Sequence, residues 1–532
     1  MQSPVRNQVE LRAYDLDATL PADHQARAVW AFVQSIDLQA LYARIRAVEG
    51  GVGRAPIDPA ILVSLWLYAT LDGVGSAREL ARLCDREDAY RWLCGGVSVN
   101  HHTLGDFRLT HTQWLDAQLT RNVAALLSQG LVSMNRVAHD GMRVRAHAGA
   151  ASFRRRETLK DLLEQAQIQV QALRKELDDS PDVGTSRVRA ARQRAATERE
   201  QRVTRALRTV EAIDKHLSGK VGKHSPETIQ ADGTQEQTER VQASVNDQGT
   251  DTPSAQAAPI QAQEPKQTDE AQEQTERVQA SVNDQGTDAP SVQAAPIQAQ
   301  EPKQADGAQE HTARVQASVN DQGADAPSAE PASGQAKGAK KPKEPRVSTT
   351  DCDARVMKMA DGGFRPAFNA QLAVDTQTMI ITGVDITNSG SDMNQMLPMH
   401  EQHEQRYARV PAQWLTDGGF AKHEQIEQLT ARATCVFAPV PAPKDQQRDR
   451  YVALRGDSEA VAQWRKRMGT QEAKQIYKER AASIECTNAH LRNRGLQRLN
   501  VRGLVKARAV LLWHALAHNL KRMLALDFPL AV

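Results

Sequence analysis

Phenylalanine, tyrosine and tryptophan are absent between Phe153 and Phe364, a gap of roughly 210 residues in a chain of 532. A segment without aromatics does not build a core of ordinary density. The chain's 7 Trp, 7 Tyr and 8 Phe all lie outside the gap, where they reach about 7% of residues, a normal globular density. The folded part is therefore expected to be about 320 residues, interrupted by a long insert. Cysteine is scarce too. Cys84, Cys94, Cys352, Cys435 and Cys486 are odd in number and scattered, and no C-x-x-C occurs. That pattern excludes a zinc ribbon or a disulfide framework and suits a reducing cytoplasm. No apolar run approaches the ~20 residues of a membrane span. Residues Met1 to Leu20 carry Arg6, Glu10, Arg12, Asp15 and Asp17 with no apolar stretch, so no secretory signal is expected. Gly50-Gly-Val-Gly53 lacks the following Lys-Ser/Thr of a phosphate loop. The net charge of +2 does not exclude nucleic acid, because local distribution matters more than the total.

What is present divides the chain into five parts. Residues 1–130 read as helical. Trp30, Phe32, Val33, Ile36, Leu41 and Ile45 recur at helical spacing. Asp58-Pro59 forms an N-cap and first-turn pair before Ala60–Leu71, and Ser76-Ala-Arg-Glu79 is a capping box. A further helix, about Gln113–Ser128, stops at Gly130. Arg78, Arg82, Arg86, Arg91 and Arg108 among these helices suit a helix-turn-helix-like DNA reader; a plain bundle with solvated arginines is the alternative. Residues 131–150 supply a first strand, Arg136–Ala148. Residues 151–222 are charge-rich and helical, with a break at Ser180-Pro181-Asp-Val-Gly184, and predict a coiled-coil-like hairpin. Its arginines could track phosphates or form a solvated face. Residues 223–350 are of low complexity. EQTERVQASVNDQGTD begins at Glu236 and again at Glu273, and EHTARVQASVNDQGAD begins at Glu310. These repeats carry too few apolar residues to offset ordering entropy and read as a disordered, recently expanded array. A basic stretch, Lys337 to Lys343, follows it.

Residues 351–532 change period. Ala367–Val374 and Met379–Ile386 read as strands joined by the turn Asp375-Thr-Gln-Thr378. Met393–Tyr407 reads as a helix, Gln413–Thr416 as a strand, Glu424–Ala433 as a helix and Cys435–Val440 as a strand. Helices at Lys474–Arg492 and Val505–Leu526 follow. This mixed order predicts an α/β layer and not a doubly wound fold.

Three acids stand where carboxylates are costly unless used. Asp140 lies on the first strand before Gly141. Asp417 follows Trp414-Leu-Thr416 and precedes Gly418-Gly419. A glycine beside each lets a bulky ligand approach the backbone. Glu485 heads a cationic stretch, since Cys486 to Arg522 holds eight Lys/Arg and no Asp/Glu. Carboxylates beside cations are what a metal-dependent phosphodiester site needs: two ions activate the attacking oxygen and stabilise the leaving one, and basic side chains hold the DNA. Singly, each acid is more readily a turn or a solvated helix residue. His139, the pair His514 and His518, the acids Asp375, Asp385 and Asp392, and Trp92 rank lower, with structural roles the better expectation for each.

The spread of Asp140-Gly141, Asp417-Gly-Gly-Phe420 and Tyr477-x-x-Arg480…Glu485…Arg492 resembles bacterial insertion-sequence transposases of the DDE type, in the branch with an N-terminal helical transposase domain. Phe368-Asn-Ala-Gln371…Asp375 and the tail Arg502-Gly-Leu…Trp513-His-Ala-Leu-Ala-His-Asn-Leu-Lys-Arg522 are similar to that branch as well. The resemblance covers roughly residues 24–150 and 350–525. It implies an RNase H-like mixed-sheet core, with Asp140, Asp417 and Glu485 as catalytic and metal-binding triad for two Mg²⁺ ions, Mn²⁺ substituting. It implies Tyr477, Arg480 and Arg492 as DNA contacts near the cleaved phosphate. Its partners would be double-stranded DNA, both the element's terminal inverted repeats and the target, and a second copy in a homodimer on DNA. No membrane is implied, and the setting is a bacterial cytoplasm, at the nucleoid when DNA-bound. The resemblance carries two departures. Arg492 stands where the family has Lys. Arg480 precedes Glu485 by five residues where relatives have four, which at 100° per residue turns it off the Glu485 face. Lys478 is then a substitute, unless a helix bulge restores the usual geometry. A nuclease or recombinase sharing the triad, and a catalytically inactive or domesticated DNA-binding descendant, are the rival readings.

Overall fold

The N-terminal region folds as α1 (Gln25–Ser35), α2 (Gln39–Tyr42), α3 (Pro59–Leu71), α4 (Ala77–Arg86), α5 (Asp88–Cys94), α6 (His101–Thr110) and α7 (Thr112–Ser128) in the computed structural model. The model describes residues 15–45, 55–179, 186–219, 344–443, 445 and 447–530. Local chemistry sets the helix starts. The Asp58 carboxylate accepts from the Ala60 N–H at 2.8 Å and caps α3. The Ser76 hydroxyl accepts from the Glu79 N–H at 3.4 Å at the head of α4, which runs to Arg86. Asn100 caps α6 through the Thr103 N–H at 2.9 Å. Gly95, at φ 56°, ends α5 in the left-handed conformation that glycine adopts without penalty. Helix α3 is apolar on all sides, and nearly every residue of it is buried.

β1 (Arg136–Arg145) leads into a short strand, β2 (Phe153–Arg154), and then into α8 (Arg156–Asp179) and α9 (Ser186–Gly219). The described chain resumes with β3 (Val347–Ser348), β4 (Arg355–Lys358), β5 (Phe364–Asp375), β6 (Ile381–Thr387), α10 (Met396–Tyr407), β7 (Gln413–Leu415), α11 (His423–Ala431), β8 (Cys435–Phe437), α12 (Glu459–Met468), α13 (Gln471–Arg480), α14 (Cys486–Asn493) and α15 (Leu504–Ala525). The chain divides into two units, residues 1–224 with 342–532 and residues 225–341. The second unit lies outside the described residues, as do the repeats, the basic stretch, the break at 180–184 and the glycine run at 50–53.

The sheet is mixed, in the order β6-β5-β1-β7-β8, with β4 beside the first residues of β5. β1 is central. It runs antiparallel to β5, Asp140 opposite Leu372, and parallel to β7, Ala138 opposite Leu415. β8 continues parallel to β7. This is the mixed α/β layer that the strand order predicted, in the RNase H-like arrangement that the resemblance implied. The turn from β5 to β6 is built by Asp375, whose buried carboxylate accepts from the N–H groups of Thr378 at 2.9 Å and Met134 at 3.1 Å. Edge strand β4 and helix α12 were not legible as elements. The expected helix Lys474–Arg492 is instead α13 and α14 with a π-helical turn, Ala481–Glu485, between them.

The long insert is closed at its base. β2 pairs with β3, the Ser152 and Ser348 hydroxyls bond at 2.7 Å, and the Thr349 N–H donates to the Ser152 carbonyl at 3.0 Å. Leu159, Val203, Ala206 and Val210 of the α8–α9 hairpin bury a small separate core with Val347. Helix α15 joins the helical region to the sheet. Its Trp513 indole donates to the Arg108 carbonyl at 3.0 Å, and the Asn519 amide bonds both the N–H and the C=O of Ile381, at 2.8 and 2.9 Å. One continuous buried apolar cluster runs from α1 to α15.

Candidate functional site

Asp140 and Asp417 lie two residues beyond the paired Ala138 and Leu415, so adjacent parallel strands carry both acids to one end of the sheet. Asp417 opens the 3₁₀ turn Gly418–Phe420, and its Oδ1 accepts from the Gly419 N–H at 2.8 Å. Glu485 arrives from the helical layer as the last residue of the π turn. Arg480 stands among the three. Its Nη2 lies 3.1 Å from Asp140 Oδ1, and its Nη1 donates to Glu485 Oε1 at 2.7 Å. The other Asp140 oxygen accepts from the Asn488 amide at 3.0 Å.

The electrostatics follow from burial. Desolvation pushes the Asp140 carboxyl up to about 6; Arg480 opposes this, and Asp417 adds to it. Burial works against the Arg480 charge, yet Asp140, Tyr477, Asp417 and Glu485 together raise its pKa. The half-buried Tyr477 hydroxyl is raised by burial, with Arg480 opposing and the charges of Asp417, Glu485 and Asp140 adding. So Tyr477 shares the acidic neighbourhood.

Arg480 and Glu485 are five positions apart, and the bulge alternative is the one present. A π turn, closed by i→i+5 bonds, takes up the extra residue and brings Arg480 back against Glu485. Arg480 itself holds the place beside Glu485 that Lys478 was to fill, while Lys478 on α13 and Arg492 on α14 are exposed. The expectation for Gly141 needs correcting. A Cβ there would stand 2.3 Å from Asp392 Oδ1 and 2.7 Å from Gln371 Nε2. The space beside this glycine is filled by the protein's own side chains, not kept open for a ligand.

Sequence reasoning missed Asn488 and gave Asp392 only as a lower-ranked acid, without its partners. Asn488 follows Glu485 by three residues, one helical turn away, and that spacing was its only signal. Asp392 is gripped by Arg143 at 2.9 Å, Asn369 at 2.6 Å and Gln371 at 2.8 Å. Polar residues at alternate positions of a buried strand were the trace of this network. The lower-ranked histidines are structural. His139 is buried, 2.9 Å from Gln371 Oε1, with burial depressing its pKa to about 3. His514 Nδ1 lies 2.9 Å from the Val510 carbonyl and His518 Nε2 2.9 Å from that of Met379. The Trp92 indole donates to Asp17 at 2.9 Å.

The three carboxylates are hard oxygen donors and fit a divalent cation such as Mg²⁺ in kind. Among the described residues, however, no three His, Cys, Asp or Glu side chains form a group ready to hold an ion. The guanidinium of Arg480 spans two of the candidate ligands instead.

Three arginines gather where β1 ends. Arg145 bridges to Arg498, and the charges of Arg502 and Arg498 help burial to lower the His147 pKa. Arg78, Arg82 and Arg86 recur every fourth residue along α4 and are exposed, with Arg82 paired to Glu79 at 2.6 Å. Arg108, by contrast, is buried over the Trp66 ring and donates to the Gly75 carbonyl at 2.7 Å, so it belongs to the core. No helix among the described residues is long and apolar enough to cross a membrane.

Comparison with known families gives two matches. Residues 14–109 match the family described as transposase domain (DUF772), and residues 341–520 match the family described as transposase DDE domain. The second range holds Asp417 and Glu485, while Asp140 lies between the two ranges. No curated protein and no solved structure matches the chain significantly.

Proposed function

The chain belongs to the DDE transposases of insertion sequences, and from that premise we propose that it binds the terminal inverted repeats of its own element, pairs two ends as a homodimer, hydrolyses the DNA backbone and joins the freed 3′-hydroxyl to target DNA. The observation that carries this reading is the convergence of Asp140, Asp417 and Glu485, from two strands and a helix far apart in sequence, on one cation, Arg480. Enzymes of this family act on DNA and generally use divalent metal ions. Here Asp140, Asp417 and Glu485 would hold two Mg²⁺, or Mn²⁺ in their place, which when bound stabilise charge on the reacting phosphate oxygens.

The remaining work falls to the chain. Asn488 fixes one oxygen of Asp140 and so orients the other. Tyr477, Arg480 and Arg492 contact DNA beside the cut phosphate, where a guanidinium offers a planar fork to two oxygens. Lys478, exposed two residues before Arg480, adds a sequence-independent contact. Arg145, Arg498 and Arg502 extend that electrostatic footprint, and the α4 stripe of Arg78, Arg82 and Arg86 faces the terminal repeat. No covalent protein intermediate is needed, so no nucleophilic Ser or Tyr is required. A catalytically inactive, domesticated DNA-binding descendant is the alternative, favoured only by the expanded repeat array.

The deciding experiment is Mg²⁺-dependent nicking and strand transfer on a terminal-repeat duplex. Binding without nicking by the wild type would leave the descendant; nicking without strand transfer would leave a nuclease.

A further inference from the structure

Arg480 occupies an unusual position for a residue meant only to touch DNA. It is buried, and its guanidinium bridges Asp140 and Glu485 at 3.1 and 2.7 Å. Two of its three nitrogens are thus spent on the carboxylates that the proposed function assigns to metal. Its third, Nε, is buried and makes no hydrogen bond among the described residues. A buried N–H without an acceptor is costly and marks an arginine whose set of partners is incomplete. The two acids differ in exposure. The Asp140 side chain is 16% exposed and that of Glu485 is 54% exposed, so the bridge runs from the floor of the site to its rim. A guanidinium that lets go of Asp140 has a route outward past Glu485.

We propose that Arg480 is a resident counter-ion that closes the carboxylate site in the DNA-free protein, competing with the divalent ion for Asp140 and Glu485 and leaving when a DNA phosphate offers it a better partner. This rests on the metal-binding reading of the three carboxylates and adds an order of events to it. A guanidinium and a divalent ion cannot both sit between the same two carboxylates, because they share ligands and repel each other. A phosphate can accept from the arginine's fork, including Nε. DNA binding and ion binding are then positively coupled through one side chain, and ions load where DNA already sits.

The test measures Mn²⁺ binding to the full-length, DNA-free protein by the loss of the free-ion electron paramagnetic resonance signal. Arg480→Gln, which keeps polarity and loses charge, should bind Mn²⁺ on the order of tenfold more tightly than the wild type. Adding terminal-repeat duplex should tighten Mn²⁺ binding in the wild type and change it little in Arg480→Gln. Equal or weaker binding by a folded Arg480→Gln, or no effect of DNA on the wild type, overturns the proposal. Should Arg480→Gln fail to fold, Arg480→Lys carries the test. A single ammonium spans the two acids poorly, so a severalfold gain is expected, and no gain overturns the idea. Asp417→Asn separates this from failure of the underlying reading. Asp417 has no direct bond to Arg480, so if Mn²⁺ binding ignores both Asp417→Asn and Asp140→Asn, the ions bind elsewhere and the carboxylate assignment itself falls.

Discussion

Deleting Ala482 should leave the protein folded and the Arg480–Glu485 pair intact. In a regular helix, residues five apart stand about 140° from each other around the axis, and residues four apart about 40°. Arg480 and Glu485 are five apart and yet bonded at 2.7 Å, because the π turn Ala481–Glu485 absorbs one residue. Removing Ala482, which is exposed, lets the segment become an ordinary α-helix with the same two faces. Ile484, Thr487 and Leu491 then remain buried, and a regular hydrogen bond is regained, worth about 1 kcal/mol at most. Stability should therefore hold or rise slightly. The control is deletion of Ala489, also exposed but within α14, where no bulge exists to absorb the change. Everything downstream turns by about 100°, which carries the fully buried Leu491 away from the core. That should cost roughly 2–5 kcal/mol, about 3–8 °C in melting temperature for a fold of about 320 residues. Thermal unfolding followed by circular dichroism reads both variants, with nicking of a terminal-repeat duplex as a second readout. If loss of Ala482 lowers the melting temperature as much as loss of Ala489, the π turn is a required conformation and not an absorbed insertion.

Replacing Asp140, Asp417 or Glu485 by Ala should each reduce nicking by on the order of a thousandfold or more, without additivity, while a gel shift shows end binding retained. The exposed Asp361 is the control, and nicking by Glu485→Ala at the wild-type rate would remove that residue from the triad. Deleting residues 223–343 and joining the ends with a short Gly/Ser linker should leave nicking largely intact and the melting temperature within a few degrees, because β2–β3 closes the insert independently; a large drop would show that the segment contributes to the fold. His403 is buried against Thr382 and the Met399 carbonyl, and burial lowers its pKa to about 3. The unfolded chain takes up this proton first as pH falls below about 6.5, so stability complete at pH 7 is lost at about 1.4 kcal/mol per pH unit below that, roughly 2 kcal/mol by pH 5. Urea unfolding at both pH values should show His403→Gln losing less than the wild type by about that amount, and equal losses would refute the assignment.

How much of this was legible follows from which signals composition carries. The strands β1, β5, β6, β7 and β8 declared themselves through apolar runs between turn residues, and the Asp375 turn through its side-chain chemistry. Asp140 stood out as an acid on a strand and Asp417 as one at a strand end, each beside a glycine, and the pairing of β1 with β7 is what places them together. The π turn was half legible. A five-residue spacing signalled that something was irregular, but an extra alanine in a helix has the same composition as a regular turn. Asn488 carried no signal beyond its spacing from Glu485, because an amide on an amphipathic helix reads as solvated until a buried partner is seen across from it. β4 is a four-residue edge strand with Val356 exposed, so it lacks the alternation that marks a half-buried strand. Gly141 was misjudged in cause. Its neighbours, Asp392 and Gln371, lie far away in sequence, and only the folded register brings them against it.

The clamp formed by β2 and β3 bears on how the gene can change over generations. Entry to and exit from the insert are held side by side at Phe153–Arg154 and Val347–Ser348, so what lies between them is invisible to the sheet. Counted even as a fully flexible loop, each doubling of its length costs only about 0.6 kcal/mol in closure entropy. One more in-frame copy of the repeat that begins at Glu236 and Glu273 would cost a few tenths of a kcal/mol at most. Replication slippage within the array is therefore nearly neutral for folding, and copies of this gene should differ in repeat number while keeping the residues on either side of the clamp in register.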